Sequence, residues 1–265
     1  MNEATKAEVL AELDAMRRAS GVAAGHADLV REYSADGSEC RIVFADLADG
    51  EVGELVRGER ELARSGGYTL EWKVYGHDRQ QGLAAALEAA GFEPDEEEQV
   101  LVLPVAEASS ALFDTSGYEV RQVTDGAELD DYAEISRQIG RRNADEEHRQ
   151  LARLLEEQPD VMSVHIAYAQ GEPVSCGRVY FQAGSPFAEL AGARTKTTHR
   201  RRGFFTAVVG SRLRQARERG CGLLVTDALP TSEPILRKRG FEVVTFTRPY
   251  IFEPTVGSGW VRRST

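Results

Sequence analysis

The sequence predicts an α/β protein that contains two similar units, and three observations support this prediction. Strand-like and helix-like patterns alternate along the chain, as they do in folds that pack helices on a sheet. One order of patterns occurs twice, and its two copies end at Gly91-Phe92 and Gly240-Phe241. The 265 residues are 42% hydrophobic and 28% charged, a composition typical of a globular protein with an ample core.

The first part of the chain predicts helices alternating with strands. Val9, Leu13 and Met16 recur at helical spacing, whereas aromatic and β-branched residues dominate the strand-like run 68–76. Gly91 is a usual helix stop and ends the third helical pattern. The predicted helices are 4–35, 51–65 and 80–90, and the predicted strands are 40–47, 68–76 and 99–105.

Small and polar residues at 106–117 predict a linker, and a second unit follows it. Gln170-Gly171 lies between two strand-like runs and indicates a hairpin. Pro159 and Gly220 are helix stops. The predicted strands are 118–123, 164–169, 173–181, 188–195, 223–228 and 241–252 (one or two strands), and the predicted helices are 129–139, 145–157, 204–219 and 232–239.

The internal repeat relates LEWKVYGHD…LAAALEAAGFE to LLVTDALP…PILRKRGFE, with 149 positions between the two Gly-Phe pairs. Such a repeat suggests that one fold was duplicated, which would place the units at 1–108 and 116–254. The alternative is that two unrelated helices share similar stop signals.

The charge of the chain is distributed unevenly. A net charge of −11 at pH 7 disfavours non-specific binding to nucleic acid. Residues 1–110 carry 10 basic and 23 acidic side chains, whereas residues 111–265 carry 22 and 20. Within the second part, 194–219 contains nine basic residues and one acidic residue. This local positive stretch in an acidic protein predicts a site for a compact anion.

Cysteine usage and hydropathy predict a cytoplasmic protein without a membrane partner. Cys40, Cys176 and Cys221 are odd in number and far apart, which disfavours a disulfide framework. The first residues lack the apolar core of a signal peptide. No uninterrupted apolar run approaches the ~18 residues of a membrane span.

The segment 188–220 carries the strongest functional signal: a strand, a basic loop with one glycine, and a helix. Backbone N–H groups at the helix N-terminus point at whatever lies there, and the helix dipole adds partial positive charge. Gly203 would let the backbone approach a phosphate closely, and three consecutive arginines supply guanidinium groups. This order predicts a pyrophosphate cradle. The alternative is a basic surface loop that caps a core helix.

The loop Arg200-Arg201-Arg202-Gly203-Phe204-Phe205 resembles the R/Q-x-x-G-x-G/A acyl-CoA loop of the GCN5-related N-acetyltransferases (GNAT). The resemblance covers roughly 118–252 and departs at Phe205, where the family has Gly or Ala. It implies a mixed, mostly antiparallel central sheet flanked by helices. The first unit resembles the C-terminal half of the same fold through 72–92, without such a loop. It is therefore interpreted as a degenerate, cofactor-free copy.

The resemblance implies that acetyl-CoA lies between the strand that ends at Thr195 and the strand 223–228. Backbone groups of Ala193 and Thr195 would pair with the pantetheine arm, and an N–H near 192–194 would polarise the thioester carbonyl. The cofactor-binding residues implied in this way are Ala193, Arg194, Thr195, Arg200, Arg201, Arg202, Gly203, Phe204, Phe205 and Thr206.

The resemblance also implies direct attack of an amine on the thioester, with deprotonation of the ammonium by a general base. Glu189 matches the position of the glutamate in histone-type members; the alternative is a strand residue paired with an arginine. Asp227 is a second candidate base. The usual tyrosine acid is replaced by Leu236, so Tyr250, Tyr180 or solvent would protonate the thiolate.

The predicted function is therefore transfer of an acetyl group from acetyl-CoA to the primary amine of a small-molecule or peptide acceptor. A non-catalytic acyl-CoA sensor would keep the loop and lose the role of Glu189. An interaction module would instead use the acidic first unit to recruit a basic partner. A tandem transferase of the mycothiol-synthase type, acting on an amino-sugar thiol precursor, is an alternative within the enzyme class.

Overall fold

The computed structural model describes residues 1, 3–23, 29–34, 36–48, 50–80, 82–123, 126, 128–141 and 143–254. The chain forms two compact units. The first contains Met1–Gln99 together with the described residues from Thr245 onwards, and the second contains Val100–Val244. Among the described helices, none has the length and apolar character needed to cross a bilayer.

The elements follow one another nearly as the sequence patterns predict. The helices are α1 (Glu3–Ala19), α2 (Val52–Gly66), α3 (Leu83–Ala89), α4 (Ser110–Phe113), α5 (Leu129–Gln138), α6 (Ala144–Glu157), α7 (Phe204–Glu218) and α8 (Glu233–Arg237). The strands are β1 (Val22–Ala23), β2 (Leu29–Tyr33), β3 (Glu39–Ala45), β4 (Thr69–Tyr75), β5 (Glu93–Pro94), β6 (Glu98–Pro104), β7 (Glu119–Val123), β8 (Met162–Ala169), β9 (Glu172–Phe181), β10 (Phe187–Thr195), β11 (Leu223–Ala228) and β12 (Glu242–Phe252). Short 3₁₀ turns occupy Val105–Glu107 and Thr197–His199.

In the first unit the strand order is β1-β2-β3-β4-β12, and β5 also pairs with β12. β3 and β4 are parallel, whereas the other pairs described in this unit are antiparallel. Trp72 of β4, Leu87 of α3 and Val56 of α2 are buried together in its core.

In the second unit the strand order is β6-β11-β10-β9-β8-β7. β10 and β11 are parallel, whereas β7, β8, β9 and β10 pair antiparallel. Leu213 of α7 packs with Leu190 on one face of this sheet. Tyr132 of α5 and Leu151 of α6 pack with Ile166 on the other face. The mixed, mostly antiparallel sheet flanked by helices is therefore confirmed.

Two strands, β6 and β12, contribute to the opposite core from the one that the predicted boundaries 1–108 and 116–254 imply. Leu101 and Leu103 of β6 lie in the core of the second unit. Tyr250 and Phe252 of β12 lie in the core of the first unit. Long-range pairing decides which sheet a strand completes, and local sequence patterns do not encode it. The duplication of one fold over 1–108 and 116–254 stays a prediction. The compact units of the structure have other boundaries, near positions 100 and 245.

Two predicted segments are wrong. The helix predicted over 4–35 ends at Ala19, and Leu29–Tyr33 is instead a strand that pairs with β3. Positions 24–28 of that prediction lie outside the described residues. The predicted linker 106–117 is packed rather than free. Leu112 within it is 1% exposed, and a Cβ on Gly210 of α7 would lie only 2.2 Å from the Leu112 carbonyl oxygen.

The repeated Gly-Phe pairs form the same helix end in both units. The Phe92 N–H donates to the Leu87 carbonyl (3.0 Å), and the Phe241 N–H donates to the Leu236 carbonyl (3.2 Å). Gly91 and its counterpart at 240 have φ of 86° and 97°, which is left-handed backbone that glycine adopts without strain. In each unit this turn delivers the phenylalanine into the core.

Candidate active site

Strands β10 and β11 run side by side over a short length and then separate. Their described pairs extend from Phe187–Leu223 to Glu189–Val225. Beyond this point the Thr226 hydroxyl donates to the Leu190 carbonyl oxygen at 2.8 Å. Ala193, further along β10, is exposed. Backbone groups of a strand that has left its neighbour can pair with an extended ligand, as an added strand would.

A β-bulge interrupts β10 between Ala191 and Arg194, where the register with β9 shifts. Gly192 within it has φ of 59°, a conformation that favours glycine. A bulge leaves backbone groups outside the regular ladder. The N–H groups of this segment can therefore turn toward a ligand carbonyl in the opening beside β10.

Arg212 of α7 supports the bulge from the opposite face of the sheet. Its Nη1 donates to the carbonyl oxygens of Arg178 (2.9 Å) and Ala191 (3.4 Å). The side chain is 1% exposed, and burial lowers its pKa to about 10, so it stays protonated at neutral pH. A guanidinium that donates to these two carbonyls ties α7 to β9 and to the part of β10 directly before the bulge.

The N-terminus of α7 presents backbone donors. The first intrahelical bond runs from the Ala207 N–H to the Gly203 carbonyl at 3.0 Å. N–H groups before this bond have no partner one turn back and carry the positive end of the helix dipole. They belong to Phe204, Phe205 and Thr206.

The loop before α7 adds further donors and positive charge. Arg201 and Gly203 have φ of 60° and 87°, so the loop alternates into left-handed backbone. Such alternation turns successive N–H groups into one concave surface that binds anions. The side chains of Arg200, Arg201 and Arg202 are exposed around it.

Tyr118 of the segment before β7 closes the back of this loop. Its hydroxyl donates to the Arg202 carbonyl oxygen at 3.0 Å, and its ring meets the Phe204 ring edge-on at 5.3 Å. A Cβ on Gly203 would lie 1.9 Å from the tyrosine oxygen. Glycine is therefore required here both by its φ and by the tyrosine.

Phe205, the departure from the family pattern, is accommodated by the core. Its half-buried ring packs against the cluster that contains Val209 and Leu213. The side chain thus points away from the loop backbone, and the concave surface does not have to contain it.

Glu189 and Asp227 share one face of the sheet. Leu190 faces α7, so Glu189 faces the other way, because successive strand side chains alternate. Glu189 pairs with Val225, and Asp227 follows two positions later on the same face. Both carboxylates therefore lie on the face that α5 and α6 cover, at the point where the strands separate.

The side chains of Arg194 and Lys196 point away from the loop. Arg194 donates to Glu147 of α6 and to the Ser136 hydroxyl of α5 at 2.6 Å. Lys196 is 2% exposed and contacts Glu134 and Glu172. At Arg194, only the backbone remains for the ligand contact that the sequence predicts.

The two tyrosines predicted as candidate acids lie in different units of the structure. Tyr180 pairs with Glu189 in the register of β9 and β10, so it lies on the same face. Tyr250 belongs to the first unit, where it is 4% exposed and pairs with Trp72. A phenol packed in that core is typical of a structural residue, and the role of Tyr250 as the acid stays a prediction.

Three residues of this region escaped the sequence patterns: Tyr118, Arg178 and Arg212. Arg178 interrupts the apolar run PVSCGRVYF, and Arg212 lies on the apolar face of α7. A charged residue at an apolar position was the available signal for both. Tyr118 carries no comparable signal, because its role depends on a contact with a loop 84 positions away.

These residues fit an acyl-CoA ligand. A concave row of N–H groups surrounded by three arginines suits a pyrophosphate. The separated strands offer backbone pairing for an amide-containing arm, and the bulge offers an N–H for a thioester carbonyl. The carboxylates on the α5 and α6 face suit an ammonium group.

Comparison with known proteins agrees with this geometry. Residues 129–241 match the model of the acetyltransferase (GNAT) family. No curated protein sequence matches this chain significantly.

Solved structures share the fold. A GCN5-related N-acetyltransferase from Kribbella flavida is 17% identical with a TM-score of 0.67, over 92% of this chain and 94% of that one. A tandem GNAT protein from the clavulanic acid biosynthesis pathway is 18% identical with a TM-score of 0.59, over 83% and 77%. A functionally unknown conserved protein from Staphylococcus epidermidis is 12% identical with a TM-score of 0.59, over 82% and 85%. The fold is that of GNAT proteins, including a tandem one.

Proposed function

We propose that the protein transfers the acetyl group of acetyl-CoA to a primary amine, because residues 129–241 match the model of the acetyltransferase (GNAT) family. The acceptor is a small molecule or a peptide. The observation that carries the proposal is the separation of β10 from β11 beside the N–H groups of the loop and helix at 200–206.

In this proposal each part of the ligand has its own backbone contacts. The pyrophosphate lies at 200–206, and the pantetheine arm pairs with the backbone of Ala193 and Thr195. The N–H groups near 192–194 bind the thioester carbonyl oxygen and stabilise the negative charge that develops on it. Arg212 fixes this segment from the other face.

Acetyl-CoA supplies the thioester that is cleaved. Glu189 accepts a proton from the acceptor ammonium, and the free amine nitrogen attacks the thioester carbonyl carbon. The new C–N bond forms, the C–S bond breaks, and the thiolate takes a proton from solvent. Asp227, on the same face, is the alternative proton acceptor. No covalent bond to the protein is needed, because positioning supplies much of the rate.

Two measurements separate an enzyme from an acyl-CoA sensor. Calorimetry reports binding of acetyl-CoA, which both would show, and a thiol-reactive dye reports CoA release with a panel of amines, which only the enzyme would show. Burial raises the pKa of the Cys40 and Cys176 thiols to about 11 and 12, so these cysteines contribute little background to the dye. An amino-sugar thiol precursor in the panel would test the mycothiol-synthase alternative.

A matched pair of variants tests the loop. Arg202→Gln removes one exposed charge at the proposed pyrophosphate site and should weaken acetyl-CoA binding about 5-fold, the scale of one charge-assisted contact near the surface. Arg239→Gln removes an exposed charge elsewhere in the same unit and should leave the affinity unchanged. Equal affinities of the two variants would contradict the loop assignment.

The cytoplasmic location remains a prediction. Three free cysteines, of which Cys40 and Cys176 are buried, are compatible with a reducing compartment.

A further inference from the structure

Arg178 lies on the acceptor side of the proposed site, on the face of β9 that α5 and α6 cover. It pairs with Ala191 of β10, directly before the bulge. Its side chain is 15% exposed, and its Nη1 donates to Glu147 Oε1 at 2.8 Å. Its guanidinium carbon lies 5.8 Å from the ring centroids of both Tyr132 and Tyr180. A charged group is thus held among aromatic rings beside the reaction centre.

The cluster around Arg178 brings two guanidinium groups to the carboxylate of Glu147. Glu147 also accepts from Arg194, whose Nη2 lies 2.8 Å from Oε1. Burial raises the pKa of Glu147, but the hydrogen bond from Arg194 and the charges of both arginines lower it more, so the carboxylate is ionised. Two guanidinium groups therefore share one carboxylate. Charges with little exposure need close partners, and Arg178 shares its Glu147 partner with Arg194.

One edge of the Arg178 guanidinium has an unused donor. Its Nε is buried and has no hydrogen-bond partner within the described part of the chain. A Cβ on Gly192 would lie 2.8 Å from Nε and 2.8 Å from Nη2, so this edge lies beside the glycine of the bulge. The Nε–Nη2 edge is a fork that matches the two oxygens of a carboxylate. A buried donor without an acceptor is costly, and a ligand can supply that acceptor.

We propose that the Nε–Nη2 edge of Arg178 binds a carboxylate of the acceptor, so that the acceptor is an amine with a carboxylate a few bonds from its nitrogen, as in an amino acid. The inference rests on the proposed acetyl transfer. Gly192 lies in the bulge that would hold the thioester. Glu189 lies two residues before Ala191, the strand partner of Arg178, on the same face and ~7 Å along the strand. The proton acceptor, the reacting carbonyl and the carboxylate site are therefore neighbours.

The experiment compares matched acceptors. CoA release from acetyl-CoA is measured with a panel of L-amino acids, each beside the amino alcohol of the same side chain. The wild-type protein should prefer the amino acid at least 10-fold in kcat/KM. Arg178→Gln should lower kcat/KM for the amino acid about 10- to 100-fold, as expected for the loss of hydrogen bonds between charged groups. It should leave the amino alcohol within about 2-fold, because the amino alcohol lacks the carboxylate that the Nε–Nη2 edge would bind.

Two further variants sharpen the comparison. Arg178→Lys keeps the charge without the fork and should fall between Arg178→Gln and the wild type for amino acids. Arg137→Gln makes the same change at a half-exposed arginine of α5 and should behave as the wild type. The acetyl-CoA dissociation constant should be the same for all of them, which also shows that each variant is folded.

The outcomes separate the two proposals. If no amine releases CoA, the transferase proposal fails and the acceptor proposal fails with it. If amines react but the wild type does not distinguish amino acids from amino alcohols, the carboxylate site is wrong and the transferase remains. The comparison of amino acids with amino alcohols uses the wild-type protein alone. It therefore decides the inference even if Arg178→Gln does not fold. An equal loss for both acceptors in a folded Arg178→Gln would also overturn it.

Discussion

Glu189 is the residue on which the proposed proton transfer depends. It occupies the last described pair of β10 and β11, on the face of α5 and α6. Glu189→Gln keeps the shape and removes the proton acceptor, so turnover should fall ~100-fold, the usual scale for general base catalysis. Acetyl-CoA affinity should hardly change, because the side chain faces away from α7 and its N-terminal loop. Steady-state kinetics across pH, together with calorimetry, would measure both.

Asp227→Asn tests the alternative proton acceptor. It removes a carboxylate from the same face of β11 without touching the candidate base. If Glu189→Gln retains near-normal turnover across pH while Asp227→Asn loses it, Asp227 takes the role of proton acceptor. The acetyltransferase proposal would survive that result.

His165 should make the second unit less stable in acid. The ring is 2% exposed, with Nε2 2.9 Å from Gln215 Oε1 and Nδ1 2.9 Å from the Ser211 hydroxyl. Burial lowers its pKa to about 4, from 6.5 in an unfolded chain. Between these values the unfolded state binds the proton and the folded state does not, so stability falls as pH falls. The loss from pH 7 to 5 should be about 2 kcal/mol.

His165→Gln isolates this effect, because glutamine hydrogen-bonds without titrating. Urea unfolding of both proteins at pH 7, 6 and 5 gives the difference in free energy of unfolding. As pH falls from 7 to 5, the free energy of unfolding should decrease more for the wild type than for the variant. Glu147 and Asp14, whose pKa values are lowered in the folded state, act at still lower pH in both proteins. Parallel curves down to pH 5 would contradict the buried, neutral histidine.

At the scale of elements, the turn into α7 is the least tolerant of change. Gly203→Ala forces a side chain into φ of 87° and places its Cβ 1.9 Å from the Tyr118 hydroxyl oxygen. The left-handed conformation alone costs about 1–2 kcal/mol. The contact must in addition move the tyrosine or the loop. Acetyl-CoA affinity should therefore fall at least ~10-fold, because 1.4 kcal/mol corresponds to a factor of ten.

Gly220→Ala, at the other end of α7, is the control for backbone strain. Its φ is 77°, and a Cβ there would meet nothing within 4 Å. This variant should lose stability but keep its affinity for acetyl-CoA, measured by calorimetry at a temperature where both variants are folded. If the two variants bind equally well, the loop at 203 is not part of the phosphate site.

The helix that follows β3 in the first unit begins in the opposite electrostatic environment. Acidic residues surround this turn: Asp46 follows β3, and Glu51 and Glu54 lie at the start of α2. Negative side chains at a helix N-terminus compete with a phosphate for the same partial positive charge. The helix α7, in contrast, begins after three arginines. That the first unit is a cofactor-free copy stays a prediction.

At the scale of the whole molecule, the strand β6 decides which pieces of the chain can fold. A chain of residues 111–265 lacks β6 and the 3₁₀ turn after it, and so loses Leu101, Leu103 and Val105 from the core of the second unit. Burying three such side chains contributes roughly 5–8 kcal/mol, comparable to the stability of an entire domain. Residues 111–265 should therefore show no cooperative unfolding, whereas residues 98–244 should unfold cooperatively and bind acetyl-CoA.

Circular dichroism during urea unfolding, followed by calorimetry with acetyl-CoA, tests both pieces. Residues 98–244 keep β6 and omit the segment that packs in the first unit. The division of the chain into these units would be wrong if residues 111–265 unfolded as cooperatively as residues 98–244. Acetyl-CoA binding by residues 1–110 would contradict the assignment of the site to the second unit.

Features that depend on neighbouring positions could be predicted from the sequence, whereas contacts between distant positions could not. Most helices and strands were predicted, because periodicity and stop residues such as Gly91 and Gly220 act within a few positions. Of the candidate site, the loop 200–205 was found because it is contiguous. Arg178 and Tyr118 were not found, since each acts on a residue far away in sequence: Gly192 and Gly203.

The sequence by itself determined the α/β class, the duplicated helix ends and the basic loop before α7, since each rests on neighbouring residues. Only the tertiary structure decided which face of β10 carries Glu189, where β10 leaves β11, and which core receives β6 and Tyr250. Strand pairing and register join residues that are distant in the chain, and a one-residue change of register reverses every side chain. Local patterns cannot specify the pairing and register of strands, because these depend on the packing of the whole chain.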